Sequence, residues 1–87
     1  MKLKDKVALI TAAGGAIGGS QAKLFAQEGA KVAVADIDLS KAKVISNQIL
    51  NNGGDSFPIK LDVKESNSWQ DAVKETLNQY GTINILC

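Results

Sequence analysis

With 87 residues, 45% of them hydrophobic and 22% charged, the chain has the composition of one small globular domain and not of a disordered segment. Ten lysines balance nine carboxylates to a net charge of +1 without any basic run, so neither a nucleic acid nor a membrane is an expected partner. The sequence has no histidine or arginine, which excludes imidazole chemistry and guanidinium clamps. Its single cysteine, Cys87, predicts a reducing, cytoplasmic setting and no metal site.

The chain opens with a predicted strand, a glycine-rich turn and a helix. The strand, Val7–Thr11, is a short apolar run between a lysine and a turn signal. The helix is expected from Ile17 to Glu28, with Gly29 as its stop. Its larger side chains are expected near one face: Ile17, Gln21, Leu24 and Phe25. Within the turn most side chains are no larger than a methyl group, so backbone N–H groups and the positive end of the helix dipole can approach an anion.

Two further elements repeat this alternation of strand and helix. The second strand, Lys31–Asp36, is a continuous apolar run, which is typical of a parallel sheet covered on both faces. Asp38 or Ser40 is expected to cap a second helix that ends near residues 51–54. The side chains expected to face the sheet are Leu39, Ala42, Ile45 and Ile49.

The last part of the chain adds two strands around a third helix. Pro58 predicts that the third strand, Ser56–Leu61, lies at an edge of the sheet, because proline cannot donate to a central ladder. Ser66 is expected to cap the helix, Gly81 to stop it, and a fourth strand to cover Ile83–Leu86. The helical stripe comprises Trp69, Ala72, Val73, Thr76, Leu77 and Tyr80. The pattern predicts an α/β fold, βαβαβαβ, in three αβα layers: the N-terminal half of a doubly wound parallel sheet with strand order 3-2-1-4.

Four landmarks in this order resemble the start of a short-chain dehydrogenase/reductase. The family's Thr-Gly-x-x-x-Gly-x-Gly turn is matched at Thr11, Ile17 and Gly18, while Ala12 and Ala16 stand where the family has its first two glycines. The other landmarks are the segments DID at 36–38, LDV at 61–63 and YGTINIL at 80–86, so the resemblance covers the whole chain. It implies a Rossmann-type fold in which residues 1–87 form part of an NAD(P)-binding domain.

The resemblance and the spacing together define a candidate cofactor site. The glycine turn is expected to hold a pyrophosphate, and Asp36, which follows Gly18 by 18 positions, to accept from the adenosine ribose. The resemblance implies that Asp62 and Val63 contact the adenine, although Asp62 could equally cap the following turn. The predicted cofactor-binding residues are Ala12, Gly14, Gly15, Ala16, Ile17, Gly18, Asp36, Ile37, Asp62 and Val63.

NAD is the expected cofactor, in preference to NADP. The Asp36 carboxylate would repel a 2′-phosphate, and the chain has no arginine to receive one. Lys41 and Lys43 are expected to solvate the second helix. Ala12 and Ala16 are expected to weaken binding, because an alanine costs roughly 1 kcal/mol more than glycine where φ is positive, and its methyl group can obstruct a phosphate.

No catalytic residue is assigned to this chain. In the family the resemblance implies, the catalytic serine and a Tyr-x-x-x-Lys pair lie on later elements, and the only tyrosine here, Tyr80, is followed four residues later by Asn84. The expected function is therefore that of the NAD-binding N-terminal portion of a short-chain alcohol or carbonyl oxidoreductase, inactive alone. The unpaired apolar edge of the fourth strand predicts self-association or pairing with a C-terminal half. Two alternatives stay open: a non-catalytic nucleotide-binding or interaction module, and part of an S-adenosylmethionine-dependent transferase.

Overall fold

A computed structural model describes residues 2–87, which form a four-stranded parallel sheet with helices on both faces. The strands are β1 (Val7–Ile10), β2 (Lys31–Asp36), β3 (Asp55–Lys60) and β4 (Ile85–Leu86), and the helices are α1 (Ala16–Gln27), α2 (Leu39–Asn51) and α3 (Ser66–Tyr80). The spatial order is β3-β2-β1-β4, and every pairing is parallel. The predicted class, element order and strand order are confirmed, and Pro58 lies on an edge strand as expected.

Side chains of the central strands alternate between two cores. One core contains residues of β1 and β2 together with residues of α1 and α2: Ala8, Ile10, Val32, Val34, Ala22, Ala42 and Ile49. The opposite core is smaller and meets α3 alone among the helices: Leu9, Ala33, Ala35, Leu61 and Ala72. The apolar runs are continuous because both faces of the sheet are covered, as the sequence predicted.

Helix α1 approaches the rest of the fold through small residues, and of the larger side chains expected near one face only Phe25 packs against the core. Gly19 and Ala22 are its buried residues, whereas Ile17 is 87% exposed and Leu24 is 54% exposed. A Cβ added to Gly19 would lie only 2.9 Å from Cδ1 of Ile45 on α2. The Ile45 side chain therefore leaves no room for a side chain at Gly19.

The start of α2 is confirmed and the start of α3 is not. Asp38 caps α2 by accepting from the Ser40 N–H at 3.0 Å. The hydroxyl of Ser40 also donates to that carboxylate, which holds the pKa of Asp38 below its ordinary value. At α3 the N-cap residue is Glu65, not Ser66, because a turn from Asp62 to Glu65 brings the chain into the helix one residue earlier.

Strand β4 is shorter than predicted and begins at Ile85 instead of Ile83. Asn84 explains the difference, since its backbone N–H donates to the Val7 carbonyl while its side-chain oxygen accepts from the Val7 N–H at 2.9 Å. The side-chain oxygen of Asn84 thus takes the place of a backbone carbonyl in the hydrogen bonding between β1 and β4. Within residues 2–87 no helix is long and apolar enough to cross a membrane.

Candidate functional site

The turn between β1 and α1 is bound to the carboxyl end of β2. The Ala13 N–H donates to the carbonyl of Ala35 at 2.8 Å, and the Gly14 N–H donates to Oδ2 of Asp36 at 3.0 Å. Within the turn, the Gly15 N–H donates to the carbonyl of Ala12 at 3.1 Å. These hydrogen bonds hold the turn against the carboxyl end of β2.

Gly14 in the turn and Gly18 in the first turn of α1 are required to be glycine, because other atoms lie where a side chain would begin. A Cβ on Gly18 would lie 2.2 Å from the carbonyl oxygen of Ala12, and one on Gly14 would lie 2.5 Å from Cβ of Lys41. Gly15 is different, because its Cβ would meet the same Ala12 oxygen at 3.4 Å, an ordinary contact. Gly18 therefore lets α1 begin directly against the turn, and Gly14 lets α2 lie beside it.

Ala12 adopts the left-handed backbone conformation that usually requires glycine. Its φ is 53°, whereas Ala16, the other alanine at a family glycine position, is the first residue of α1. Of these two alanines, only Ala12 therefore has a strained backbone, where a methyl group costs roughly 1 kcal/mol relative to glycine.

Replacing Ala12 by glycine should stabilise the chain. We expect Ala12→Gly to raise the free energy of unfolding by about 0.5–1 kcal/mol, because relief of the left-handed strain exceeds the added entropy of the unfolded chain. Urea denaturation followed by circular dichroism measures the change. Ala13→Gly is the matched control and should destabilise, since Ala13 is fully buried and its φ is not positive. A loss of stability in Ala12→Gly would contradict the strain assigned here.

The N-terminus of α1 presents free backbone donors beside the turn. The N-cap residue is Gly15, which has no side chain with which to cap the helix. The first N–H groups of any α-helix have no partner within it, and here they belong to Ala16, Ile17 and Gly18. Together with the helix dipole, they form a site suited to a phosphate or another anion.

Asp36 closes the site from the end of β2. Its side chain is only 8% exposed, and its two oxygens accept from different backbone groups: Oδ2 from Gly14 and Oδ1 from Asp38 at 2.9 Å. Each carboxylate oxygen has two lone pairs, so both can still accept from hydroxyl groups of a ligand. Asp36 thus anchors the turn, and its oxygens can still accept hydrogen bonds from a ligand bound beside the turn.

A pocket of about 280 Å³ joins this carboxylate to the end of β3. Its lining residues are Ala12, Asp36, Ile37, Leu61, Asp62, Val63 and Lys64. Ile37 and Val63 are 60% and 54% exposed, so two apolar side chains stand free at its wall. Most pockets that bind small molecules combine such apolar walls with a few fixed polar groups.

The predicted site residues are brought together in two adjoining places. Ala12, Asp36, Ile37, Asp62 and Val63 line the pocket. Gly14, Gly15, Ala16, Ile17 and Gly18 form the turn and the first turn of α1.

Asp62 also has the turn-capping role that the sequence left open. Its Oδ1 accepts from the Lys64 N–H at 3.0 Å, while its own N–H donates to Ser68. The sequence interpretation did not select Leu61 or Lys64, which also line the pocket. Both residues directly follow β3, and ligands of parallel α/β sheets bind at the carboxyl ends of the strands. That position could have identified them from the sequence.

Thr11, the first residue of the turn motif, holds two strands together. Its hydroxyl donates to the carbonyl of Cys87 at 2.8 Å, and its backbone N–H donates to the same oxygen at 2.7 Å. Thr11 therefore fastens the end of β1 to the residue that follows β4. This connection between the two strands accounts for its place in the motif.

The chain belongs to the short-chain dehydrogenase family, whose model, described as "short chain dehydrogenase", matches residues 6–87. Members of this family bind nicotinamide dinucleotide cofactors. The match covers all four strands and all three helices, so the resemblance seen in the sequence is confirmed.

Curated relatives and solved structures agree with this assignment. The chain is 40% identical over 85 residues to 2,5-dichloro-2,5-cyclohexadiene-1,4-diol dehydrogenase of Sphingobium indicum, covering 98% of this chain and 34% of that protein. It is 32% identical over 85 residues to 7alpha-hydroxysteroid dehydrogenase of Bacteroides fragilis, covering 98% and 33%. The crystal structure of hydroxysteroid dehydrogenase from Escherichia coli superposes with a TM-score of 0.96 at 32% identity, covering 98% of this chain and 36% of that one. The chain thus spans about a third of the length of these relatives.

Proposed function

We propose that this chain is the NAD-binding N-terminal portion of a short-chain alcohol or carbonyl oxidoreductase. One observation carries the proposal: the buried carboxylate of Asp36 contacts the glycine turn and lines the adjoining pocket. This arrangement would set a phosphate site beside a ribose acceptor, as a dinucleotide requires.

The residues present fit the adenosine half of such a cofactor. The free N–H groups at the start of α1 would hold the pyrophosphate, and Asp36 would accept from the ribose hydroxyls. Ile37 and Val63 would enclose the adenine, with Asp62 available to its exocyclic amine. When bound, the nicotinamide would supply or accept the hydride.

The charge of the pocket supports NAD over NADP. Asp36 is buried and already oriented by two backbone N–H groups, so a 2′-phosphate beside it would face a fixed negative charge. The exposed side chain of Lys41 lies nearby on α2, but a flexible ammonium in water offsets only part of that repulsion.

We also propose that this portion does not turn over substrate alone. Hydride transfer needs a proton relay held beside the nicotinamide. Tyr80 is unsuited to that role, because its hydroxyl donates to Oδ1 of Asp55 at 3.0 Å, and Asp55 belongs to β3. Burial and that carboxylate raise the pKa of Tyr80 well above its ordinary range.

Titration of the purified chain with NADH, NADPH and S-adenosylmethionine tests this function. We expect NADH to bind at least about tenfold more tightly than NADPH, a difference of roughly 1.4 kcal/mol. Nicotinamide fluorescence and calorimetry measure the affinities, and circular dichroism confirms that the protein is folded. A folded chain that binds S-adenosylmethionine and not NADH would overturn the proposal in favour of a transferase.

A further inference from the structure

The β3–α3 loop, residues 61–65, forms one wall of the candidate pocket although it belongs to neither a strand nor a helix. Its first residue is still bound to the sheet, because the Leu61 N–H donates to the carbonyl of Asp36 at 2.9 Å. Asp62, Val63 and Lys64 follow it and also line the pocket. The geometry of this wall therefore depends on contacts made outside the sheet.

Two neighbouring side chains in the first turn of α3 hold the loop. Oγ of Ser68 accepts from the Asp62 N–H at 2.8 Å, and Nε1–H of Trp69 donates to the Val63 carbonyl at 3.0 Å. The first bond holds the peptide before Asp62, and the second holds the peptide after Val63. Together they fix the loop on both sides of the peptide that joins these two residues.

The two side chains that hold the loop are themselves supported. Ser68 and Trp69 are half-buried, and the Trp69 ring packs against the smaller core. The Trp69 N–H also donates to the carbonyl of Glu65 at 3.2 Å, which ties the same residue to the end of the loop. A binding site keeps its geometry when the residues behind it are locked by packing and hydrogen bonds in this way.

The orientation of the Asp62 carboxylate follows from the position of the loop backbone. Its Oδ1 accepts from the Lys64 N–H at 3.0 Å, and the Asp62 carbonyl accepts from the Glu65 N–H at 3.0 Å. These bonds fix the carboxylate relative to the loop, while Ser68 fixes the loop relative to α3. Loss of the Ser68 hydroxyl should therefore move the carboxylate without removing it.

We propose that Ser68 and Trp69 are positioning residues, which hold Asp62 and Val63 in place for an adenine ring. The inference rests on the proposed cofactor-binding function and adds two residues that act through the loop. A correctly held carboxylate accepts from the exocyclic amine of adenine. Hypoxanthine has a carbonyl oxygen in place of that amine, so the same carboxylate would repel it. The preference for adenine over hypoxanthine thus reports the position of Asp62.

Calorimetric titration with ADP and with inosine diphosphate tests the proposal. The two nucleotides share the ribose and the diphosphate and differ only in the base. We expect the unchanged chain to bind ADP about tenfold more tightly. Ser68→Ala should weaken ADP binding about fivefold and inosine diphosphate binding at most about twofold, so that the preference falls to about two- to fourfold. Trp69→Phe, which keeps an aromatic ring and loses the N–H donor, should also lower the preference.

Three further variants separate positioning from stability. Ser68→Thr keeps a hydroxyl group and should retain the preference for ADP. Ser66→Ala is the matched serine control, because Ser66 is exposed two residues earlier in the same helix. Tyr80→Phe is the matched aromatic control, because it removes a hydroxyl that donates to Asp55 at the other end of α3. Both controls should keep the preference of the unchanged chain, whatever stability they lose.

The emission of Trp69, the single tryptophan, gives a second measurement that needs no substitution. ADP should shift this emission, because the indole N–H is bound to the loop that the adenine would contact. Emission that saturating ADP leaves unchanged would overturn the role of Trp69. Equal weakening of both nucleotides in folded Ser68→Ala, or no weakening, would overturn the role of Ser68 and leave the proposed function standing. A folded, unchanged chain that bound neither ADP nor NADH would overturn both.

Discussion

Gly18→Ala is expected to lower the free energy of unfolding by about 3 kcal/mol, a large share of the stability of a domain this small. The new methyl carbon would lie 2.2 Å from the oxygen and 2.8 Å from the carbon of the Ala12 carbonyl. Both atoms are backbone and cannot rotate away, and the neighbouring Ala13 N–H is bound to the carbonyl of Ala35. The start of α1 must move away from the turn. Urea denaturation followed by circular dichroism measures the loss.

Gly15→Ala is the control within the same turn. Its methyl carbon would meet the same Ala12 oxygen at 3.4 Å, and the φ of −82° at Gly15 suits alanine. We expect a loss of at most about 1 kcal/mol, the usual penalty for alanine at an N-cap. Equal losses in the two variants would show that close packing between α1 and the turn is not what requires Gly18.

Asp36→Ala is expected to reduce stability and cofactor binding together. The substitution removes the acceptor of the Gly14 and Asp38 N–H groups, and hydrogen bonds to a charged group contribute about 1.5–3 kcal/mol each. Water can enter the adjoining pocket and replace part of the lost hydrogen bonding. We therefore expect a loss of about 2–4 kcal/mol in the free energy of unfolding. NADH affinity should fall at least tenfold, about 1.4 kcal/mol.

Two further variants separate the structural role of Asp36 from its proposed ligand role. Asp36→Asn keeps one oxygen acceptor, so it should lose less stability than Asp36→Ala and stay folded for titration. Asp55→Ala is the control outside the pocket, because its carboxylate accepts from Tyr80 at the start of β3 and does not touch the glycine turn, so NADH affinity should stay unchanged. If folded Asp36→Asn bound NADH and NADPH with the same affinities as the unchanged chain, Asp36 would be only a structural residue.

The sheet could be predicted from sequence because its determinants are local. The continuous apolar run of β2, the proline on β3 and the small residues of the first turn each indicate one arrangement in a parallel α/β fold. Asp38 was recognisable as a cap for the same reason, since its partners lie two and three residues ahead. Family membership followed from four such local landmarks in order.

What the sequence did not reveal depends on contacts between distant residues. Gly14 was read as a ligand position, but its need for glycine comes from Lys41, 27 residues later in the chain. Helix α1 likewise approaches Ile45 through Gly19, while its larger side chains Ile17 and Leu24 are exposed. Asp36 was expected to meet a ribose, and its second role as the anchor of the turn is visible only when β2 stands beside the turn.

The unequal cover of the sheet has a consequence for how the molecule opens. One face is shielded by α1 and α2 together, and the other by α3 alone. Amide protons of α3 should therefore exchange with solvent sooner than those of β1, β2 and α2, because α3 can detach in a partial unfolding event that leaves a unit of four strands and two helices intact. A nucleotide held by the turn and Asp36 would slow exchange in that unit more than in the more labile helix.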